Sequence, residues 1–170
     1  GEYRYLDCKA VYKGDWKKGL QDGNGIYNCS EFTYDGQWEK GWMDGDGTLI
    51  FKNKDKYEGT IHENIIDGIG TYHYANGNIY EGEFVKGKIT GLGLFRFKNG
   101  NRFEGEFYNG KIYGEGTMYL VNNKGKEHFI IGLNDGGTLR TDRAALTENG
   151  RHTRIYVGHM LFQCGQCIAD

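Results

Sequence analysis

The chain has 170 residues with 29 Gly, 13 Tyr and no Pro, and a formal net charge of −2. Gly is far above its usual ~7% share, but there is no Gly-x-y period with Pro for collagen, and too many aromatics for a flexible linker. The near-neutral charge excludes a global basic field for nucleic acid, and no apolar run approaches the ~20 residues of a membrane-spanning helix.

Residues 1–11 (GEYRYLDCKAV) read as the second strand of a preceding repeat, with Gly1, Tyr3 and Tyr5 at its glycine and aromatic positions. The start at Gly1 without an initiator Met is read as a fragment or a processed form, and no signal-peptide pattern is present. Cys8, Cys29, Cys164 and Cys167 read as free thiols in a reducing compartment, because a chain of this size does not need disulfide staples.

From Tyr12 onward the chain repeats itself. The anchors Tyr12, Tyr34, Tyr57, Tyr80 and Phe103 are spaced 22, 23, 23 and 23 residues apart. Counting from each anchor as offset 0, offset 2 is always Gly and offset 4 is Trp16, Trp38, Ile61, Phe84 and Phe107. Offset 7 is Gly19, Gly41, Asn64, Gly87 and Gly110, and offsets 11 and 13 are glycine in all five copies. In a strand, offsets 0, 2 and 4 share one face, while the polar offsets 1 and 3 take the other. A second strand then places offsets 11, 13, 15 and 17 on one face, with glycines clearing room for rings. Gly or Asn at offset 7 fits a turn at positive φ, and Asn76-Gly77 and Asn99-Gly100 are strong signals for two-residue hairpin turns.

These residues resemble the MORN (membrane occupation and recognition nexus) repeat. Its pattern, roughly Tyr-x-Gly-x-Trp-x-x-Gly-x-x-x-Gly-x-Gly, is matched by Tyr34-Asp35-Gly36-Gln37-Trp38-Glu39-Lys40-Gly41 and then Asp44-Gly45-Asp46-Gly47. The expected fold is all-β: an elongated single-layer antiparallel meander of repeated β-hairpins, with a short irregular or partly helical C-terminal cap. The expected organisation is a half repeat over 1–11, then repeats over 12–33, 34–56, 57–79, 80–102 and 103–125. A degenerate sixth repeat follows over 126–140, opened by a strand in Glu127–Leu133, and a cap or tail over 141–170. Within that tail, Thr141 to Gly150 carries a short helix signature, and Arg154 to Gln163 reads as a strand.

A search for chemistry finds no phosphate loop, and the Gly-x-Gly pairs lack the context of a dinucleotide site. Glu81, Glu83, Glu104 and Glu106 form a repeated exposed stripe, without the unequal environments that acid–base pairs require. No metal site is expected; Cys164-Gly165-Gln166-Cys167 is half a zinc site, which His152 and His159 would have to complete. No catalytic residue and no cofactor are expected.

One sheet with one aromatic face must be covered by something, either the tail or a partner. The expected function is therefore a non-catalytic scaffold or adaptor. It binds a helix or extended peptide of another protein along a groove lined by Tyr34, Trp38, Tyr57, Tyr80, Phe84, Phe103 and Phe107. The resemblance implies a eukaryotic, cytoplasmic protein of a cytoskeletal, ciliary or membrane-associated assembly, with dimerisation through a terminal repeat in some members. The alternatives are a phospholipid-recognition module, with Lys17, Lys18, Lys52, Lys54, Lys56, Lys86 and Lys88 as a basic rim, or the targeting part of a larger enzyme such as a lipid kinase. Nucleic acid is not an expected partner.

Overall fold

The computed structural model describes residues 1–6 and 9–121 together with their side chains. Beyond these it describes the backbone of strands in 127–134, 138–148, 151–154, 160–163 and 166–168. The strands are β1 (Glu2–Arg4), β2 (Val11–Lys17), β3 (Leu20–Asn28), β4 (Phe32–Glu39), β5 (Trp42–Phe51), β6 (Lys56–His62), β7 (Ile65–His73) and β8 (Ile79–Val85). They continue as β9 (Lys88–Arg96), β10 (Arg102–Tyr108), β11 (Lys111–Val121), β12 (Glu127–Asn134), β13 (Thr138–Glu148), β14 (Arg151–Arg154), β15 (Met160–Gln163) and β16 (Gln166–Ile168). No helix occurs among the described residues. The fold is an all-β open meander of hairpins in which antiparallel strands follow one another in chain order through β13, with β15 and then β16 next and β14 pairing with β13 off that path. Two compact units divide it: residues 1–75 with 84–87, and residues 76–83 with 88–170.

The hairpins are closed by turns that the sequence pattern names only in part. Lys17 pairs with Leu20 and Glu39 with Trp42, leaving two-residue loops. Both loop residues have positive φ, as in Lys18 (51°) with Gly19 (82°) and Lys86 (49°) with Gly87 (76°), which is the type I′ geometry that matches strand twist. Asn109-Gly110 closes a loop of this kind (52° and 79°), but Asn76-Gly77 and Asn99-Gly100, expected to form such loops, sit instead in the longer connections between repeats. There Phe97 N–H donates to the Asn101 carbonyl at 2.8 Å and Gly100 N–H to the Phe97 carbonyl at 2.9 Å. The Asn side chain fixes this loop, because Asn99 Oδ1 accepts the Asn101 N–H and Asn76 Oδ1 the Asn78 N–H.

Four of the hairpins also carry a bulge. The pairing Gly14↔Gly25 shifts before Trp16↔Gln21, and Gly36↔Gly47 before Trp38↔Met43. The same slip follows Gly59 and Gly105. The bulge separates the two glycines that were expected to share a face. Offset 11 takes positive φ and lies under the polar offset-3 side chain, as Gly23 does under Asp15. Offset 13 stays under the ring: a methyl on Gly93 would stand 2.6 Å from Tyr80. The bulge also turns offset 9 to the ring face, so Met43, Ile89 and Ile112 join the core.

Adjacent repeats are bonded at both edges. On the turn edge, the offset-7 N–H donates to the offset-9 carbonyl of the repeat before: Gly41 to Gln21, Asn64 to Met43, Gly87 to Ile66 and Gly110 to Ile89, at 2.8–3.0 Å. On the loop edge, the offset-21 side chain accepts the offset-18 N–H of the next repeat. Asp55 takes Ala75 at 2.7 Å, Asn78 takes Lys98 at 3.0 Å and Asn101 takes Val121 at 3.0 Å. The first repeat is one residue shorter, and there the Glu31 carbonyl takes the Lys52 N–H.

The tail differs from expectation in one respect. Residues 141–148, read as a helix start, belong to β13, which pairs with β12 through Phe129↔Thr147 and Ile130↔Leu146. The unpaired backbone edge of β12 supplies hydrogen bonds that a short isolated helix cannot match, because a helix of this length is marginal on its own. The expected strands at Glu127–Leu133 and within 154–163 are present as β12 and as Met160–Gln163. Gly150 and residues 155–159 lie outside the described residues.

Candidate partner-binding surface

All seven residues expected to line a groove are buried. In the first unit Tyr34 lies edge-on to Trp38 at 5.4 Å, and Tyr57 edge-on to Phe84 at 5.2 Å. In the second unit Tyr80 meets Phe107 at 5.0 Å, and Phe103 meets Phe107 at 5.5 Å. Trp38, Phe84 and Phe107 each pack edge-on against the offset-0 ring of the repeat before, Trp38 on Tyr12 at 5.0 Å, while Tyr34–Trp38 and Phe103–Phe107 are contacts within one repeat. Such edge-to-face pairs contribute about 0.5–1.5 kcal/mol each beyond their buried area. Trp38 adds an inter-repeat bond by donating Nε1–H to the Gly25 carbonyl at 3.0 Å. These residues are therefore the floor of the face rather than its accessible surface.

The offset-0 ring is Tyr in four repeats for a reason tied to the bulge. The bulge leaves the offset-3 residue without a partner in the second strand of its own hairpin, and the tyrosine hydroxyl donates to its carbonyl. Tyr12 reaches Asp15 at 2.9 Å, Tyr34 Gln37 at 2.8 Å, Tyr57 Thr60 at 2.8 Å and Tyr80 Glu83 at 3.2 Å. Burial pushes the Tyr34 and Tyr57 hydroxyls up to about 12. Phe103 has no hydroxyl to donate.

The accessible part of the ring face in the first unit is a row of half-buried aromatics. Phe32 and Phe51 are opposed in the β4–β5 ladder, and Phe51 stacks on Tyr72 at 6.1 Å and 29°. Tyr74 lies 4.7 Å from Tyr72. Phe32, Phe51 and Tyr72, with Glu31, Lys52 and Asn53, line an open hollow of about 480 Å³. Tyr72 is anchored by donating its hydroxyl to Asp55 Oδ2 at 2.9 Å. Burial and that carboxylate both raise the Tyr72 hydroxyl. For Asp55, burial alone would raise the carboxyl, but the Ala75 N–H, the Tyr72 hydroxyl and the Asn53 amide outweigh it and hold it below its ordinary value. Sequence reasoning centred on offsets 0 and 4 passed over these rings. The signal was the aromatic alternation at offsets 15 and 17, Tyr72 with Tyr74 and Phe95 with Phe97.

The lysines of the expected rim fall on both edges. Lys17, Lys18 and Lys86 stand at the turns of the first unit, and Lys52, Lys54 and Lys56 at its loop side. Three are bridged: Lys17 to Asp22 at 3.8 Å, Lys52 to Glu31 at 3.4 Å and Lys56 to Glu58 at 2.9 Å. Lys88 opens β9 in the second unit and is exposed. Beside the first unit's turns, Leu20, Trp42 and Ile65 at offset 8 are exposed. No cluster of three or more His, Cys, Asp and Glu capable of holding a metal occurs among the described residues. Cys164 and His159 lie outside those residues, as do the side chains of Cys167 and His152. No helix among the described residues is long and apolar enough to cross a membrane.

No curated protein matches the chain. The family model of the MORN repeat matches residues 12–31, 34–56, 57–79, 80–102 and 103–125, which together exceed half of the chain. The matched segments coincide with the repeated hairpins, and the chain is a member of the MORN repeat family.

Proposed function

We propose that the chain is a non-catalytic scaffold or adaptor that binds a protein partner along the aromatic, glycine-floored face of its repeats. The partner segment is a helix or an extended peptide, in a cytoskeletal, ciliary or membrane-associated assembly on the cytoplasmic side of a eukaryotic cell. MORN repeats are in general protein- and membrane-binding modules, which supports the reading. The observation that carries it is the half-buried row Phe32, Phe51, Tyr72 and Tyr74, resting on the buried floor that includes Tyr34, Trp38 and Tyr57. Half-buried rigid rings on a fixed floor offer contact area at little entropic cost.

The test makes the row polar without touching the floor. Phe51→Ser with Tyr74→Ser is compared with the parent and with Ile50→Ser on the opposite face, each checked for an unchanged circular dichroism spectrum. Proteins captured by the parent from cells are identified by mass spectrometry. Loss of the parent's set from the ring-face variant alone is the expected result, and equal recovery by all three would refute the groove.

A second reading, a membrane-lipid module, is favoured by the exposed Leu20, Trp42 and Ile65 beside Lys17, Lys18 and Lys40 on one edge. Co-sedimentation with vesicles containing phosphoinositide, lost on Trp42→Ser, would support that reading over the groove.

A further inference from the structure

The polar face of the first unit holds a second hollow, away from the rings. It is open, about 570 Å³, and lined by Lys9, Val11, Lys13, Ile26, Asn28 and Ser30, with Cys29 at its side. That volume falls within the ~300–1,000 Å³ range of small-molecule sites, and the mix of an apolar floor with a few convergent polar groups is characteristic of them.

The ladder explains the arrangement. Val11 is opposite Asn28, and Lys13 opposite Ile26, so all four side chains rise from one patch of the β2–β3 pair. Lys9 arrives from the preceding segment, where its backbone takes positive φ (55°). Among the described residues the lining holds two ammonium groups and no carboxylate, with Glu2 opposite Lys13 and Asp35 opposite Ile26 in the neighbouring strands. Lys13 is bridged to Glu2 at 3.2 Å at the rim, and Lys9 has no ion pair among the described residues. The hollow on the ring face differs, because its one lysine, Lys52, is paired to Glu31, whereas here Lys9 remains without such a partner among the described residues.

We propose that this hollow binds a small amphipathic anion: a carboxylate or phosphate monoester carried on a short apolar body. Lys9 receives the anionic head, with Lys13 shared between Glu2 and the ligand and the Asn28 amide within the same lining as a donor; the Ser30 hydroxyl donates to Glu31 Oε1 at 3.0 Å. Val11 and Ile26 take the apolar body. A bare inorganic anion leaves the floor empty, and a neutral apolar molecule leaves the Lys9 charge unanswered. The inference concerns the face opposite the proposed groove and is independent of that function.

The probes are octyl phosphate, inorganic phosphate and octanol, titrated into the 15N-labelled chain. Octyl phosphate is expected to give saturable shifts at Val11, Ile26 and Asn28, at a concentration well below either of the others. It is also expected to slow alkylation of Cys29 by iodoacetamide, read by peptide mass mapping. Lys9→Gln and Lys13→Gln should each weaken binding roughly fivefold, the upper range for an exposed charge pair. Ile26→Asp should abolish it. All three side chains are exposed, so the fold tolerates these changes. The proposal is overturned if no saturable shift appears, if inorganic phosphate does as well as octyl phosphate, or if the double lysine variant binds like the parent.

Discussion

The most telling perturbation is a pair of single-atom changes, Tyr57→Phe and Phe103→Tyr. In the third repeat the Tyr57 hydroxyl donates to the Thr60 carbonyl at 2.8 Å, beside the register shift between Gly59 and Ile61. Removing the hydroxyl forfeits a net ~0.5–1.5 kcal/mol and adds part of the ~1–3 kcal/mol cost of leaving an acceptor unsatisfied under a buried ring. The sum is about 2 kcal/mol, a fall in melting temperature of roughly 4–8 °C for a chain of this length. In the fifth repeat the same bulge separates Gly105 from Phe107, and the ring above it lacks the hydroxyl. Phe103→Tyr supplies it, with an expected gain of about 0.5–1.5 kcal/mol from the hydrogen bond to the Glu106 carbonyl. Urea unfolding followed by circular dichroism measures both. The reasoning fails if Tyr57→Phe is neutral, or if both substitutions shift stability in the same direction.

Three further outcomes are expected. The Tyr34 and Tyr57 phenols must stay neutral in the fold and are raised to about 12, so the stability they contribute is whole below about pH 10. It is lost as pH climbs from 10 towards 12, by up to about 1.4 kcal/mol per pH unit for each tyrosine, and urea midpoints between pH 9 and 12 should show a shallower fall for Tyr57→Phe. Lys86 holds φ of 49° at the first position of its turn, so Lys86→Asn should raise stability by about 0.5–1 kcal/mol in the same assay. Asn78 is buried and its Oδ1 accepts the Lys98 N–H at 3.0 Å, so Asn78→Ala should cost about 1–3 kcal/mol and speed amide exchange at Lys98 before other loop amides.

Much of the fold was legible because the period exposed it. Five copies aligned on Tyr12, Tyr34, Tyr57, Tyr80 and Phe103 gave the hairpins, the ring face and the need for glycine beneath the rings. Turn chemistry was less legible. Asn-Gly is the stronger local signal, and Asn109-Gly110 does close a two-residue turn, but Asn76-Gly77 and Asn99-Gly100 do not, and Lys18-Gly19 and Lys86-Gly87 form such turns with Lys carrying the left-handed backbone at a cost that the ladder outweighs. The bulge left no mark in the pattern, and its effects followed from it: the different roles of the paired glycines and the inward turn of Met43, Ile89 and Ile112. At the candidate site the pattern named the rings, but it could not show that Trp38 closes over Tyr12 and Tyr34 and so buries them. Burial by a neighbouring repeat is a property of stacking, which one strand's alternation does not encode. The helix signature at 141–150 lost to the edge of β12 for the same reason, since a partner strand outweighs local propensity.

The bonds along the two edges also set how such a chain can change length. Each repeat offers donors at offsets 7 and 18, and each meets acceptors at offsets 9 and 21 of the repeat before. Duplicating a whole 23-residue cassette lands every donor on an acceptor, and the newcomer is accepted at once. Adding a residue between the two turn-edge positions would misalign that edge with both of its neighbours. The loop edge is more forgiving: the first repeat, one residue short, offers the Glu31 carbonyl where others offer a side chain. Growth and loss by whole units is thus the route the hydrogen bonding favours, with slack confined to the connections between repeats.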